Sequence, residues 1–182
     1  MHQLSEQELY QALAYAKSIN EESGAKIIEQ FQSEQTGLAQ AIFSIFPQAI
    51  AQENEDMSYL FMDLCFDVLC VFQKAFGPLP SQERMDYDWL ERQAALIDTE
   101  LQALIQDKFI DEKTNPKPQD AFVNPVAKDS SQNGLVDFMN NVIDDFAAED
   151  PSRLPAIKTT RTMIFIVIRL FGNLYSAVNK TA

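Results

Sequence analysis

The chain has 182 residues, 27 acidic against 14 basic side chains, a net charge of −13 and a hydrophobic share of 46%. A chain of this length can bury enough apolar surface to fold as a single domain over residues 1–182 without a disulfide or a structural metal. The strong negative charge argues against binding to nucleic acid and to anionic membranes. With only 5 glycines, few tight turns are expected, which disfavours a many-stranded β protein.

Apolar residues recur at steps of three and four along most of the chain, which predicts helices. Ser5 opens a capping box, and the first predicted helix runs to about residue 33 with a bend near Gly24. The second starts at Thr36. It contains Pro47, which predicts a kink or a break because proline lacks the N–H group and crowds the preceding turn.

The third predicted helix, from Asp56 to about Phe76, is apolar around most of its circumference, which is typical of a buried helix. It contains both cysteines, Cys65 and Cys70. Five helical positions place their side chains about 140° apart, too divergent for a disulfide. A fourth helix is predicted over residues 82–110, with Ser81 as its N-terminal cap.

The C-terminal third begins with a proline-rich loop at about 111–132, followed by predicted helices at 133–148 and at about 154–178. Residues 151–182 carry five basic and no acidic side chains. The last helix is apolar all round at 163–168, which places it inside a bundle or in a subunit interface. The predicted fold is therefore an all-α antiparallel bundle of five or six helices, with the third and the sixth most buried.

One loop resembles the start of an EF-hand calcium loop. Its ligand positions one, three, five and nine hold Asp129, Ser131, Asn133 and Asp137. Gly134 stands where the loop needs a sharp turn. The pattern fails at position twelve, where Asn140 replaces the bidentate glutamate, and Pro125 interrupts the entering helix. The alternative interpretation is a polar loop that ends in a helix cap at Ser131 or Asn133.

Asp63 and Asp67 lie one helical turn apart, a spacing at which two carboxylates can hold Mg²⁺. This pair is the basis of an alternative function, a divalent-metal-dependent hydrolase or transferase acting on a phosphorylated small molecule. The alternative interpretation is a solvated strip, or an ion pair with Arg169.

Two further features suggest contacts with a partner. Tyr87 and Trp89 stand among acidic residues; they either form an exposed contact patch or pack the end of the bundle. The basic last helix, with Arg161 and Arg169, either meets a partner or docks on the acidic body of its own chain.

Several catalytic classes are excluded by composition. His2 is the only histidine, which excludes histidine-dependent triads and Glu-x-x-His di-iron sites. The glycines are all isolated, so there is no phosphate-binding loop. No catalytic residue is identified, and no cofactor is expected apart from the Mg²⁺ or Ca²⁺ alternatives.

The remaining evidence favours a non-enzymatic helical interaction module of the adaptor, inhibitor or immunity type. Its expected partner is another protein or a second copy of the chain. Mimicry of nucleic acid by acidic helices is a further hypothesis. The N-terminus lacks the pattern of a signal peptide, and no apolar run approaches the ~18 residues of a membrane span, which predicts a cytoplasmic protein.

Overall fold

A computed structural model describes residues 1–85, 87–111 and 132–178. These residues form helices and connections without any strand, which confirms the all-α class. The seven helices of these ranges are α1 (Glu6–Ser18), α2 (Glu21–Glu34), α3 (36–51), α4 (Glu55–Phe76), α5 (Tyr87–Asp111), α6 (Asn133–Ala148) and α7 (Ile157–Val178). Short 3₁₀ turns at Gln82–Arg84 and Pro151–Ala156 precede α5 and α7. None of the helices in the described ranges combines the length and hydropathy needed to cross a bilayer.

The first predicted helix is in fact two helices. α1 ends at Ser18, and the side chain of Asn20 accepts the Ser23 N–H at 2.9 Å as the cap of α2. An asparagine oxygen that bonds the backbone ahead of it starts a new helix more readily than it continues the old one. The expected bend at Gly24 is absent because this glycine lies within α2, where a Cβ would stand 3.5 Å from the Phe66 ring.

Helix α3 continues through its proline instead of breaking there. It consists of α-helical residues Thr36–Gln40, a π-helical turn Ala41–Ile45 and α-helical residues Phe46–Ala51. The Phe46 N–H donates to the Ala41 carbonyl, five residues back. A wider turn relieves the clash between a proline ring and the carbonyl four residues earlier, so Pro47 is accommodated and buried.

Helices α4 and α7 form the centre of the fold and run in the same direction. Near their starts, the Asn54 side chain donates to the Ser152 carbonyl at 3.2 Å. Near their ends, the Tyr175 hydroxyl donates to the Gly77 carbonyl at 3.0 Å. Both helices are buried along most of their length, as predicted for the third and sixth helices.

Helices α1 and α5 run opposite to this central pair, whereas α2 runs with it, from Gly24 beside Phe66 to Gln35 beside Pro80. The His2 ring, just before α1, lies 5.5 Å from the Phe76 ring at the end of α4. Helix α5 runs antiparallel to α7, since Asn173 donates to Gln93 at 2.9 Å while Arg169 contacts Glu100 one helical turn earlier in α7. The bundle is thus mostly antiparallel around a parallel core.

An aromatic cluster joins α2, α4 and α7. The Phe72 ring lies 5.5 Å from the Phe171 ring and 5.7 Å from the Tyr175 ring, and Phe171 lies 5.5 Å from Phe31. Between one and two turns earlier in α7, Ile164 and Ile166 are completely buried. The apolar middle of α7 is therefore covered within one chain, and its burial requires no second subunit.

Cys65 and Cys70 are buried and unbridged, as the spacing predicts. Burial raises the pKa of Cys70 to about 12, with a smaller contribution from the charge of Asp67. Burial alone raises the pKa of Cys65 well above its ordinary value. Both thiols therefore stay protonated and unreactive in the folded protein.

Candidate functional site

The predicted carboxylate pair on α4 is split between two environments. Asp67 is 3% exposed, and its Oδ2 lies 2.5 Å from the Nζ of Lys17 on α1, whereas Asp63 is exposed. Lys17 occupies the place that a cation ligated by Asp67 would take. Asp67 pairs with Lys17 and Arg169 pairs with Glu100, so the expected ion pair with Arg169 is wrong.

A pH-dependent stability follows from Asp67. Burial raises the pKa of its carboxyl above the ordinary 3.8, Lys17 opposes that rise, and the charge of Asp63 adds to it. Between pH 3.8 and the raised pKa, the folded chain binds more protons than the unfolded chain. The contribution of Asp67 to the free energy of unfolding therefore falls as the pH rises through this window. The Asp67→Asn variant cannot ionise, so its stability relative to wild type should rise with pH across that window.

Urea denaturation of both proteins between about pH 3 and pH 7 measures this difference. The subtraction removes the titration of carboxyl groups that do not interact with Asp67. A relative stability that falls with rising pH would show that Lys17 stabilises the ionised carboxylate more than burial penalises it.

The calcium-loop pattern is only partly within the described residues. Asp129 and Ser131 lie outside them. Asn133 is the first residue of α6, and its N–H donates to the Gln3 side chain at 3.3 Å. Asp137 is exposed one turn further along α6. Asn133 and Asp137 thus belong to a regular helix, and calcium binding stays a prediction.

The preceding residue, Gln132, ties α6 to the N-terminal segment. Its amide oxygen accepts the Leu4 N–H and its amide nitrogen donates to the His2 carbonyl, both at 2.8 Å. Gln132 is 2% exposed. The start of α6 is therefore held by the backbone of His2 and Leu4 and by the Gln3 side chain, which no local capping pattern could indicate.

Thermal melting tests both metal predictions. Among the described side chains, no group of three or more His, Cys, Asp or Glu residues could hold a metal ion. We expect millimolar Mg²⁺ or Mn²⁺ to leave the melting temperature unchanged, since a specific site would raise it by binding the native state. A Ca²⁺-dependent rise that Asp129→Asn abolishes and Asp63→Asn retains would confirm the calcium loop. A Mg²⁺-dependent rise lost in Asp63→Asn would instead support the hydrolase or transferase hypothesis.

Three of the predicted contact residues, Trp89, Arg161 and Arg169, contact other parts of their own chain. Trp89 is 7% exposed and packs in the core, while the side chain of Tyr87 lies outside the described structure. Arg169 donates to Glu100 on α5 at 2.7 Å, with both side chains less than a fifth exposed. Arg161 donates to Asp144 on α6. Helix α7 therefore docks on acidic helices of its own chain.

The described lysine and arginine side chains all have partners within the chain. These partners include Asp67 for Lys17, Glu22 for Lys26, the Tyr15 ring for Lys74, Asp56 and Glu149 for Arg153, Asp144 for Arg161 and Glu100 for Arg169. Arg92 and Lys158 also interact. Because acids outnumber bases by 27 to 14 in the chain, this pairing leaves many carboxylates facing solvent.

Carboxylates gather where α4 begins, α6 ends and α7 starts. We call this surface the acidic end; its members are Glu53, Glu55, Asp56, Glu149 and Asp150. The carboxylate of Glu53 accepts the Thr159 hydroxyl at 2.9 Å. Asp150 accepts the Ser152 N–H at 2.8 Å, and this backbone hydrogen bond lowers the pKa of the Asp150 carboxyl. The Asp150 carboxyl is therefore ionised at neutral pH.

Arg153 holds the acidic end together. Its guanidinium donates to Asp56 at 3.0 Å, to Glu149 at 3.4 Å and to the Phe146 carbonyl at the end of α6 at 2.9 Å. It also lies 3.8 Å above the centre of the Phe146 ring. The Arg153 side chain is 15% exposed, whereas its two acidic partners, Asp56 and Glu149, remain 54% and 72% exposed.

Apolar groups are exposed beside these acids. Leu154 is 53% exposed and Tyr59 is 54% exposed. Between α3 and the first turns of α4 runs a shallow groove of about 260 Å³, with Phe43, Pro47 and Tyr59 among its walls. The acidic end therefore combines negative charge with apolar contact area.

Sequence reasoning missed the acidic end because its members lie almost one hundred residues apart. The available signal was the occurrence of acids just before and after the predicted helix ends, at 53–56 and at 149–150. Comparison with known proteins adds no assignment, since no family model, no curated protein and no solved structure matches the chain.

Proposed function

We propose that the chain is a non-enzymatic protein-interaction module that binds a basic surface of another protein through its acidic end. The observation that carries this proposal is the internal pairing of the described basic side chains. Because those cations are used within the fold, the outward charge is dominated by carboxylates. Such a surface steers a basic partner during diffusion and disfavours acidic ones.

The composition of the acidic end supports a protein as the partner. Interfaces combine an apolar contact region with a polar rim, and tyrosine is enriched in them. Tyr59 and Leu154 supply exposed apolar area, and Glu55 and Glu149 stand beside them. A second copy of this chain is a poorer partner, because each copy carries a net charge of −13.

The proposed compartment is the cytoplasm. The two buried cysteines remain unbridged, and unbridged thiols are usual where the environment is reducing.

Paired charge variants test the proposed interface. Glu55→Gln with Glu149→Gln removes two charges from the acidic end, and Glu6→Gln with Asp137→Asn removes two exposed charges near the opposite end of α4. The two ends of this 22-residue helix are about 30 Å apart. Proteins captured from a lysate by each variant and by wild type are identified by mass spectrometry at low and at high salt.

We expect wild type and the Glu6/Asp137 control to retain basic proteins that the Glu55/Glu149 variant loses. Salt should weaken the capture, because exposed charges are screened beyond about 10 Å at ~0.1 M salt. Equal capture by both variants, or capture only of acidic proteins, would contradict the proposal.

A further inference from the structure

The groove between α3 and α4 opens directly beside the acidic end. Its apolar walls are Phe43 and Pro47 of α3 and the Tyr59 ring of α4, and Ala51 lies exposed at its edge. Its volume of about 260 Å³ falls below the range of roughly 300–1,000 Å³ that is usual for small-molecule sites. The groove therefore suits one inserted side chain better than a whole cofactor or metabolite.

We propose that this groove receives a large apolar side chain from a segment of the partner that is flanked by lysine or arginine. The inference rests on the proposed function and names the chemistry of the segment that the partner presents. The occupant is thus a basic peptide segment with an apolar anchor.

Charge complementarity selects this occupant. Glu55 is the one charged residue among the described side chains that line the groove, and no lysine or arginine lines it. Glu55 also belongs to the acidic end, next to Asp56. A lysine or arginine beside an inserted apolar side chain would meet these carboxylates, whereas an acidic segment would be repelled.

Two walls of the groove make contacts within the chain. The Tyr59 hydroxyl donates to the Glu55 carboxylate at 2.8 Å, which holds the tyrosine side chain beside the groove. Phe43 lies within the π-helical turn, and its ring contacts the buried Phe31 ring at 5.9 Å between centroids. Single π turns within helices occur frequently at functional sites. A preformed wall lowers the entropy that binding costs.

Capped pentapeptides test the groove directly. The probes have the sequence Lys-Lys-X-Lys-Lys, with X as leucine, phenylalanine or glycine, and a fourth has leucine between glutamates. Amide spectra of the ¹⁵N-labelled chain are recorded during titration. We expect the leucine and phenylalanine peptides to produce saturable shifts at Phe43, Ala51 and Tyr59, and the glycine and glutamate peptides to leave these resonances unchanged.

Two variants locate the binding. Tyr59→Ala removes one wall, and Ala51→Trp fills the groove from an exposed position. Each variant should lower the affinity for the leucine peptide by about fivefold or more. Tyr10→Ala is the matched control, since Tyr10 is 74% exposed on α1. It should leave the affinity unchanged. Circular dichroism verifies that each variant is folded.

The outcomes separate the two proposals. Equal binding of the leucine and glycine peptides at the acidic end, unaffected by Tyr59→Ala, would overturn the groove and leave the proposed basic partner intact. Absence of shifts with every basic peptide would also overturn the groove, and the capture experiment then judges the proposed function. Equal binding of the glutamate peptide would count against both.

Discussion

Replacing Phe72 by alanine should lower the free energy of unfolding by about 3–5 kcal/mol, the usual range for a buried phenylalanine. Phe72 is completely buried, and its ring contacts those of Phe76, Phe171 and Tyr175 at 5.5–5.7 Å between centroids. The change leaves a cavity between α4 and α7, the two helices at the centre of the fold. In a chain of this size it should lower the melting temperature by roughly 10 °C.

Urea denaturation with wild-type and Phe72→Ala protein measures the loss. Tyr10→Ala removes an aromatic ring that is 74% exposed, and it should change the stability by less than about 0.5 kcal/mol. Phe72→Leu should fall between the two, because most of the apolar volume is retained. A Phe72→Ala variant as stable as the Tyr10→Ala control would show that α4 and α7 are not packed as described.

Replacing Arg169 by methionine should lower the free energy of unfolding by about 2 kcal/mol. Its partner Glu100 is 17% exposed, so the carboxylate would be left largely buried without a counter-ion. Breaking a fully buried pair costs roughly 3–5 kcal/mol, and the remaining exposure of this pair reduces that figure. Most of the loss comes from the stranded charge and little from the attraction itself.

The double variant Arg169→Met with Glu100→Met distinguishes these contributions. Removing both charges should recover at least about 1 kcal/mol of the loss in the single variant, because apolar replacement of a buried pair is often neutral. Chemical denaturation of the wild type, both single variants and the double variant completes the cycle. Strictly additive losses would mean that the two side chains do not interact across α5 and α7.

Local patterns predicted the bounds of two helices closely. Helix α4 was expected from Asp56 to Phe76 and spans Glu55–Phe76, and α6 was expected at 133–148 and spans Asn133–Ala148. Both have strong apolar periodicity, and the ends of α4 carry local signals at Asn54 and Gly77. Gly77 ends α4 with φ 94°, a conformation that glycine adopts readily.

The missed features depend on parts of the chain that are distant in sequence or on competing local choices. The Asn20 cap divides the continuous helix that periodicity favours, and the π turn lets α3 continue through Pro47, where a kink or a break is predicted. The Lys17–Asp67 and Glu100–Arg169 pairs join different helices. Charge counts cannot tell which acid a given base will meet, so the candidate site emerged only from the packed helices.

The parallel arrangement of α4 and α7 has a consequence for synthesis on the ribosome. The two helices are separated by α5, the proline-rich segment and α6. The Asn54–Ser152 and Tyr175–Gly77 contacts at their two ends each join positions 98 residues apart, so packing the pair closes a long loop. Until α7 is made, Phe72 of α4 lacks its contacts with the Phe171 and Tyr175 rings. A nascent chain that ends at α6 therefore exposes apolar side chains to which chaperones can bind. The core between α4 and α7 can form only after α7 is synthesised.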